Sequence, residues 1–181
     1  WTVTAAVHSS GQGNTIIGLW PGEKARVFGL AVDIGSTTIA AHLCDLGSGR
    51  TVASAGTANP QVRFGEDLMS RVSYILMNPD ALPKLTEAVR GAIGGLIDKV
   101  SGEAGIAATD IVEAVFVGNP IMHHLFLGID PTELGGAPFA MAVSDSVTLA
   151  ARDIALGIHP CGRVYIPPLV AGHVGADAAA A

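Results

Sequence analysis

"GLAVDIGSTTIAAHL" occupies residues 29–43, and it joins two apolar runs through a short polar bend. The first run is apolar at successive positions, which predicts a strand buried on both faces. The second run also reads as a strand rather than as a helix. Asp33 ends the first strand, and the bend that follows is made of small polar residues: Gly35, Ser36, Thr37 and Thr38.

This bend has the chemistry of a phosphate cradle on a hairpin. A Walker-type loop would lead into a helix and end in Gly-Lys-Ser/Thr, whereas this bend has no lysine and leads into a strand. Gly35 allows close backbone approach, and the amides and hydroxyls of residues 35–38 can donate to phosphate oxygens. Asp33 at the strand end suits a hydrated Mg²⁺. The alternative interpretation is a β-turn that is only rich in small polar residues.

The bulk composition narrows the class of protein. The chain has 181 residues, 49% of them hydrophobic, with a mean hydropathy of +0.46, which predicts one well-packed domain. A net charge of -6 without a basic stripe argues against nucleic acid, and no apolar run approaches the ~20 residues of a membrane span. Cys44 and Cys161 lack metal-ligand spacing, so we expect reduced, buried, inert cysteines in a cytoplasmic protein. Both ends fall within regular patterns, so we expect a piece of a longer protein.

The order of the predicted elements indicates a mixed sheet. Apolar and polar residues alternate in residues 1–26 on both sides of a Gly-Gln-Gly-Asn turn, which predicts a β-hairpin. From residue 27 the patterns predict three meandering strands, two helices, a buried strand, a third helix, a short helix over 147–156, a final strand and a last helix. We therefore expect an α/β fold with a five-stranded sheet and helices on both faces, preceded by the short hairpin.

Apolar spacing marks the expected core faces of the first two helices. The first face has five members: Leu68, Met69, Val72, Ile75 and Leu76. The second helix is expected to start at Asp80, and its face has six members: Leu82, Leu85, Val89, Ile93, Leu96 and Val100.

Four stretches together resemble one family. "GLAVDIGSTTIAAHLCDLGSGR", "ANPQVRFGEDLMSRVSYI", "VFVGNPIMHHLFLGIDPTEL" and "VAGHVGADAAAA" are similar to the reductive activators of corrinoid proteins. These are ATPases of the actin, Hsp70 and sugar-kinase superfamily that carry a ferredoxin-type [2Fe-2S] domain upstream. The resemblance covers roughly residues 27–181, and the combination is more specific than any single motif.

The resemblance implies a ribonuclease H-like, actin-like ATPase fold with ATP and Mg²⁺ bound between two lobes. ATP hydrolysis would be coupled to electron transfer from the iron–sulfur cluster to cobalt, which returns cob(II)alamin to Co(I). The expected partner is a corrinoid protein, and a homodimer is a further expectation, with no nucleic acid or membrane. The [2Fe-2S] cluster would belong to the full-length protein and not to this chain.

The resemblance also assigns residues and boundaries. The first phosphate loop would be Asp33 with the bend Gly35 to Thr38, and Asp33 would be both the metal ligand and the catalytic residue. Gly172, Gly175, Ala176 and Asp177 match the entry to the helix that joins the lobes. Residues 1–26 would be the tail of a preceding domain, 27–171 the first lobe, and 172–181 the start of the connecting helix. One lobe alone is expected to bind nucleotide weakly or not at all.

Three further groups of residues can each be explained by a structural role or by a functional one. Gly118 and Asn119 follow a parallel strand, so Asn119 should cap the next helix and could also face a ligand cleft. The stretch "NPQVRFGED", residues 59–67, could favour a helix N-terminus or contact nucleotide, metal or partner, with Arg63 as its best phosphate ligand. His123 and His124 cannot share a helix face, and packing or surface roles are favoured over metal binding.

Two other functions remain open from the residues. A sugar or carboxylic acid kinase of the same superfamily would need a catalytic carboxylate near the fourth strand, where Asn119 stands. A non-enzymatic actin-like interaction module would leave the cleft without turnover.

Overall fold

The computed structural model describes residues 1–11, 13–172 and 174–176, and it begins with a separate antiparallel hairpin. Strands β1 (Val3–Ser10) and β2 (Gly13–Pro21) pair with each other in a two-stranded sheet of the described chain. The predicted hairpin is therefore confirmed.

The inner side of this hairpin rests on the main sheet. Ile17 is 6% exposed. His8 Nδ1 lies 3.0 Å from Glu113 Oε1, and Lys24 Nζ lies 2.6 Å from Asp110 Oδ1. Apolar burial, the Lys24–Asp110 ion pair and the His8–Glu113 contact thus fix the hairpin against the strand that begins at residue 111.

The main sheet is mixed and has the order β5-β4-β3-β6-β8-β7. Its strands are β3 (Phe28–Ile34), β4 (Thr38–Asp45), β5 (Arg50–Ala58), β6 (Ile111–Gly118), β7 (Val147–Ala150) and β8 (Arg163–Ile166). The meander β3-β4-β5 is antiparallel, whereas β3, β6 and β8 run parallel. The predicted mixed α/β fold is confirmed.

Among the described residues, the sheet has six strands rather than the five predicted. The segment predicted as a short helix over 147–156 forms β7, which pairs antiparallel with β8, and then a 3-10 turn at Ala151–Ile154. β7 contains Val147 and Thr148, and β-branched residues fit an edge strand better than a helix.

Three helices follow the meander: α1 (Leu68–Met77), α2 (Leu82–Ala104) and α3 (Pro120–Leu127). The predicted core face of α2 is confirmed, since five of its six members are buried and Leu82 is half-buried. The predicted face of α1 is wrong in part, because Met69 is 46% and Leu76 63% exposed. The buried face of α1 is instead centred on Arg71, Val72 and Ile75.

The core lies between the helices and one face of the sheet. Leu30, Val32 and Ile34 of β3 point into it, whereas Ala31 and Asp33 lie on the opposite, exposed face. Helices were predicted on both faces, and the last of them, predicted to start within residues 172–181, lies mostly outside the described residues.

Two smaller observations complete the fold. Both cysteines are free, but Cys44 is only half-buried and Cys161 is exposed, so their predicted burial is wrong. Among the described residues, no helix combines the length and the apolar character that a membrane crossing requires.

Candidate functional site

The parallel pairing of β3 and β6 brings two predicted stretches to the same edge of the sheet. Ile34 at the end of β3 is the register partner of Gly118 at the end of β6. A Cβ on Gly118 would lie 3.0 Å from the Ile34 carbonyl oxygen, so the two strand ends are closely packed. Asp33, the bend and Asn119 therefore lie along one edge, where α/β sheets commonly bind ligands.

The bend at residues 35–37 is open to solvent. Thr37 and Thr38 are exposed, and Gly35 and Ser36 are half-buried. A Cβ on Gly35 would lie 2.5 Å from the carbonyl oxygen of Thr38, which is a backbone atom. Only glycine fits there without moving the chain, as the sequence predicted.

Three successive carbonyl groups of the bend are held from behind. Asn59 donates from its side-chain Nδ2 to the Gly35 carbonyl at 2.8 Å and from its backbone N–H to the Thr37 carbonyl at 2.7 Å. The Ser36 carbonyl between them accepts from Nη2 of Arg71. Each acceptor of the bend is thereby turned toward the protein interior.

The residues that make these bonds form a buried polar cluster, which we name the brace: Asn59, Gln61 and Arg71. They are at most 1% exposed. Gln61 accepts from Asn59 Nδ2 at 3.3 Å and donates to the Leu85 carbonyl at 3.0 Å, which ties the brace to α2. Part of the stretch at residues 59–67 thus supports the bend from inside the protein.

The acidic end of that stretch starts a helix. Asp67 is the N-cap of α1, and its carboxylate accepts from the Ser70 amide at 2.7 Å. This bond and the Ser70 hydroxyl lower the pKa of Asp67. The helix-start interpretation is confirmed for Asp67.

The arginine that reaches the bend is Arg71, which sequence reasoning missed. The guanidinium of Arg63, the predicted phosphate ligand, lies 4.7 Å from the Phe64 ring centroid and lines a groove beside α2. A charged residue at helical spacing between Leu68, Val72 and Ile75 was the signal that could have found Arg71.

Asn119 caps α3 as predicted. Its side-chain oxygen accepts from the Met122 amide at 3.0 Å, and Gly128 ends the helix at a φ of 79°. The capped position supplies no carboxylate at this strand end, so the geometry does not favour a kinase base there.

The two histidines of α3 are buried in different ways. His124 Nδ1–H donates to the Pro120 carbonyl at 2.7 Å and its Nε2 accepts from the Ala142 amide at 3.2 Å, which requires a neutral ring. His123 has no hydrogen-bond partner for either ring nitrogen among the described residues. Burial, aided by the adjacent His124, lowers the pKa of His123 to about 4. The favoured packing role fits both residues.

The family model described as the RACo middle region matches residues 28–181. The chain belongs to this family. Over 176 residues it is 38% identical to the corrinoid activation enzyme RamQ of Eubacterium limosum, covering 96% of this chain and 30% of RamQ. It also matches a solved reductive activator for corrinoid, iron-sulfur protein, with 39% identity and a TM-score of 0.90. That match covers 97% of this chain and 28% of the solved one.

The recognition made from the four motifs is thus confirmed. This RACo middle region spans less than a third of the length of either relative.

The remaining predicted residues lie after β8. A Cβ on Gly172 would lie 2.6 Å from the Phe139 carbonyl oxygen, so this glycine is closely packed. Gly175 and Ala176 are buried, and Asp177 lies outside the described residues. Among the described residues, no group of three or more His, Cys, Asp or Glu side chains is placed to hold a metal.

Proposed function

We propose that this chain is the first nucleotide-binding lobe of a reductive activator of a corrinoid protein. The full-length protein would use ATP and electrons from a [2Fe-2S] domain to return cob(II)alamin to Co(I). Family membership supports this proposal, together with the names of the two relatives. The bend at residues 35–38 would hold the phosphates.

One observation carries the proposal. The backbone carbonyls of the bend are bonded to the brace, and its backbone amides point outward. The carbonyls of Gly35, Ser36 and Thr37 are bonded to the brace. The amides of Ser36 and Thr37 donate to no other residue that the structure describes. Successive outward amides with hydroxyls beside them favour an anion such as phosphate.

Asp33 suits a magnesium ion at the same edge. Its carboxylate is on the exposed face of β3, two residues before the bend. Mg²⁺ is commonly held by one or two protein carboxylates with water and phosphate oxygens, and it would neutralise phosphate charge. Asp33 would hold the ion, and Gly118 and Asn119 would line the neighbouring strand end. Gly175 and Asp177 would complete the nucleotide site from the connecting segment.

The finer expectations belong to the same proposal. The physiological partner would be a corrinoid protein, the activator would be a homodimer, and it would work in the cytoplasm, as two free cysteines support. Residues 1–26 would end a preceding domain, 27–171 would form the lobe, and 172–181 would begin the connecting helix.

The test uses the full-length activator with a cob(II)alamin-loaded corrinoid protein, a reductant and ATP. Formation of Co(I) is followed by absorbance for wild type, Asp33→Ala and Asp45→Ala. Asp33→Ala should slow ATP-dependent reduction by roughly 100-fold, the scale expected when a group that positions reactants is lost. Asp45→Ala removes an aspartate from the next turn of the same sheet and should leave the rate within about twofold. Reduction without ATP, or equal rates for the two variants, would contradict the proposal.

A further inference from the structure

Arg71 places a buried positive charge directly behind the bend. Its side chain is 0% exposed, on the fourth residue of α1. Burial lowers the pKa of Arg71, and the carboxylate of Asp67 acts in the opposite direction. An arginine nevertheless stays protonated at neutral pH, so the charge persists inside the protein.

The partners of this guanidinium are all neutral. Nε donates to the Gly65 carbonyl at 3.0 Å, Nη1 reaches Met122 Sδ at 3.3 Å and Gln61 Oε1 at 3.5 Å, and Nη2 donates to the Ser36 carbonyl. No ion pair to Arg71 is present among the described residues. A buried charge whose direct partners are all neutral is costly, and neutral side chains at this position would avoid that cost.

The position of the charge suggests what offsets that cost. The Ser36 carbonyl is the middle acceptor of the bend, and its bond to Arg71 sets the direction of the peptide group. An anion on the outer side of the bend would face the guanidinium across a single layer of backbone. Because the guanidinium is buried, its charge acts through the poorly solvated protein interior, where charges interact more strongly than in water.

We infer that Arg71 is a positioning residue that also attracts the bound phosphates electrostatically, so that the site prefers ligands with more phosphate charge. This inference rests on the proposed function, because it assumes that the bend holds a nucleotide. The charge should strengthen binding of ATP more than of ADP, and of ADP more than of AMP. A purely structural role of Arg71 would change the ratio of ATP to AMP affinity equally in a variant that keeps the charge and in one that removes it.

The experiment separates charge from hydrogen bonding in the full-length activator. Arg71→Gln keeps an amide donor but removes the charge, and Arg71→Lys keeps the charge. The matched control is Arg90→Gln. Arg90 is half-buried, and like Arg71 it donates from its guanidinium to a backbone carbonyl: Nε bonds the Phe126 carbonyl at 2.9 Å, in the α2–α3 contact. Dissociation constants of ATP, ADP and AMP are measured by calorimetry, and thermal unfolding reports whether each variant is folded.

Arg71→Gln should lower the ratio of ATP to AMP affinity by roughly tenfold, from the Coulomb term at the effective dielectric of a protein surface. Arg71→Lys should weaken all three ligands while keeping the ratio within about twofold, because it retains the charge. Arg90→Gln should leave every affinity near that of wild type. If Arg71→Gln does not fold, Arg71→Lys decides: a preserved ratio supports the inference, and a lost ratio overturns it.

The two proposals fail in different ways. A wild-type activator that binds no ATP would sink the proposed function. An activator that binds ATP normally, with an unchanged ATP to AMP ratio in Arg71→Gln, would overturn the role of Arg71 and leave the proposed function standing.

Discussion

Two hairpin turns of the main sheet share the pattern Asp-x-Gly-Ser, yet opposite sets of backbone groups hold them. In the first, after Asp33, the carbonyls accept from Asn59 and Arg71, two residues far away in sequence, and the amides of Ser36 and Thr37 face outward. In the second, after Asp45, the amides are bonded: Oδ1 of Asp45 accepts from Gly47 and Ser48, each at 2.9 Å.

This difference shows how one local pattern serves two purposes. The second turn satisfies its amides with its own aspartate, as short polar turns commonly do, and it keeps no donors for a ligand. The first turn depends on the brace, which forms only when distant parts of the chain have folded together. Outward amides are therefore a product of tertiary structure, and they distinguish a candidate binding turn from a structural one.

The largest effect is expected from a substitution that disrupts the first turn at its glycine, Gly35. Gly35→Ala would place a Cβ 2.5 Å from the Thr38 carbonyl oxygen, so the backbone and its amides must move. ATP-dependent Co(I) formation by the full-length protein should fall roughly 100-fold, as for other sub-ångström to ångström displacements of positioning groups.

Gly47→Ala is the matched control in the second turn. Its Cβ would lie 3.3 Å from Asp45 Oδ1, the end of a side chain that can shift slightly. The rate should stay within about twofold of wild type, as for most surface substitutions. A loss of activity as large as in Gly35→Ala would show that the two turns are not functionally different.

The next largest effect is expected from a substitution that removes part of the brace. Asn59→Ala removes a buried side chain and leaves the half-buried Gly35 carbonyl without its 2.8 Å donor. Leaving such a group unpaired should lower the free energy of unfolding by about 2 kcal/mol, measured by urea denaturation.

The same substitution at Asn78 provides the comparison. Asn78 also donates to a backbone carbonyl, that of Tyr74 at 2.9 Å, but in an exposed place. Asn78→Ala should change the free energy of unfolding by no more than about 0.5 kcal/mol. Equal effects at the two positions would mean that the brace adds no stability beyond an ordinary surface bond.

A third test uses pH to loosen the strand end beneath the first turn. His123 lies beside Ile34 and Gly118 in a small apolar cavity of about 10 Å³. Because its pKa is about 4 in the folded chain, against 6.5 ordinarily, folding disfavours the protonated ring. Its stabilising effect is therefore complete above pH 6.5 and is lost as the pH falls toward 4.

The free energy of unfolding should decrease by about 2 kcal/mol between pH 7 and pH 4.5 through His123 alone. His123→Leu should reduce that dependence, whereas His124, whose pKa burial also lowers, should keep a share of it. An identical pH profile for His123→Leu and wild type would rule out this origin of the acid sensitivity.

Local signals in the sequence were enough for much of this molecule. Asp33, Gly35 and the strands around them follow from alternation and turn chemistry, and the cap at Asn119 follows from Asn-Pro. The edge strand at residues 147–150 was misread because four residues are too few to show a period, and pairing with β8 decides their structure.

The brace could not be read from local pattern, because its bonds join residues 24 and 35 positions apart. Within the stretch at residues 59–67, the sequence shows Asn59 and Arg63 simply as two polar residues. Tertiary packing buries Asn59 and leaves Arg63 exposed. Arg71 was concealed by its apolar neighbours on α1. Side chains that support a site from inside the core leave a weaker local signal than those that touch a ligand.

The smallest expected effect concerns Asp45 and tests whether the second turn can become like the first. The bond from Arg26 at 2.5 Å, with the Ser48 amide, lowers the pKa of Asp45 below its ordinary 3.8. Its contribution to stability is therefore present above about pH 4 and fades below that value. Asp45→Ala should leave unfolding less sensitive to acid in that range.

The same substitution also frees the amides of Gly47 and Ser48, yet nucleotide affinity should not rise, because no brace turns the carbonyls of this turn inward. A new phosphate site in Asp45→Ala, detected by calorimetry, would mean that free amides alone suffice.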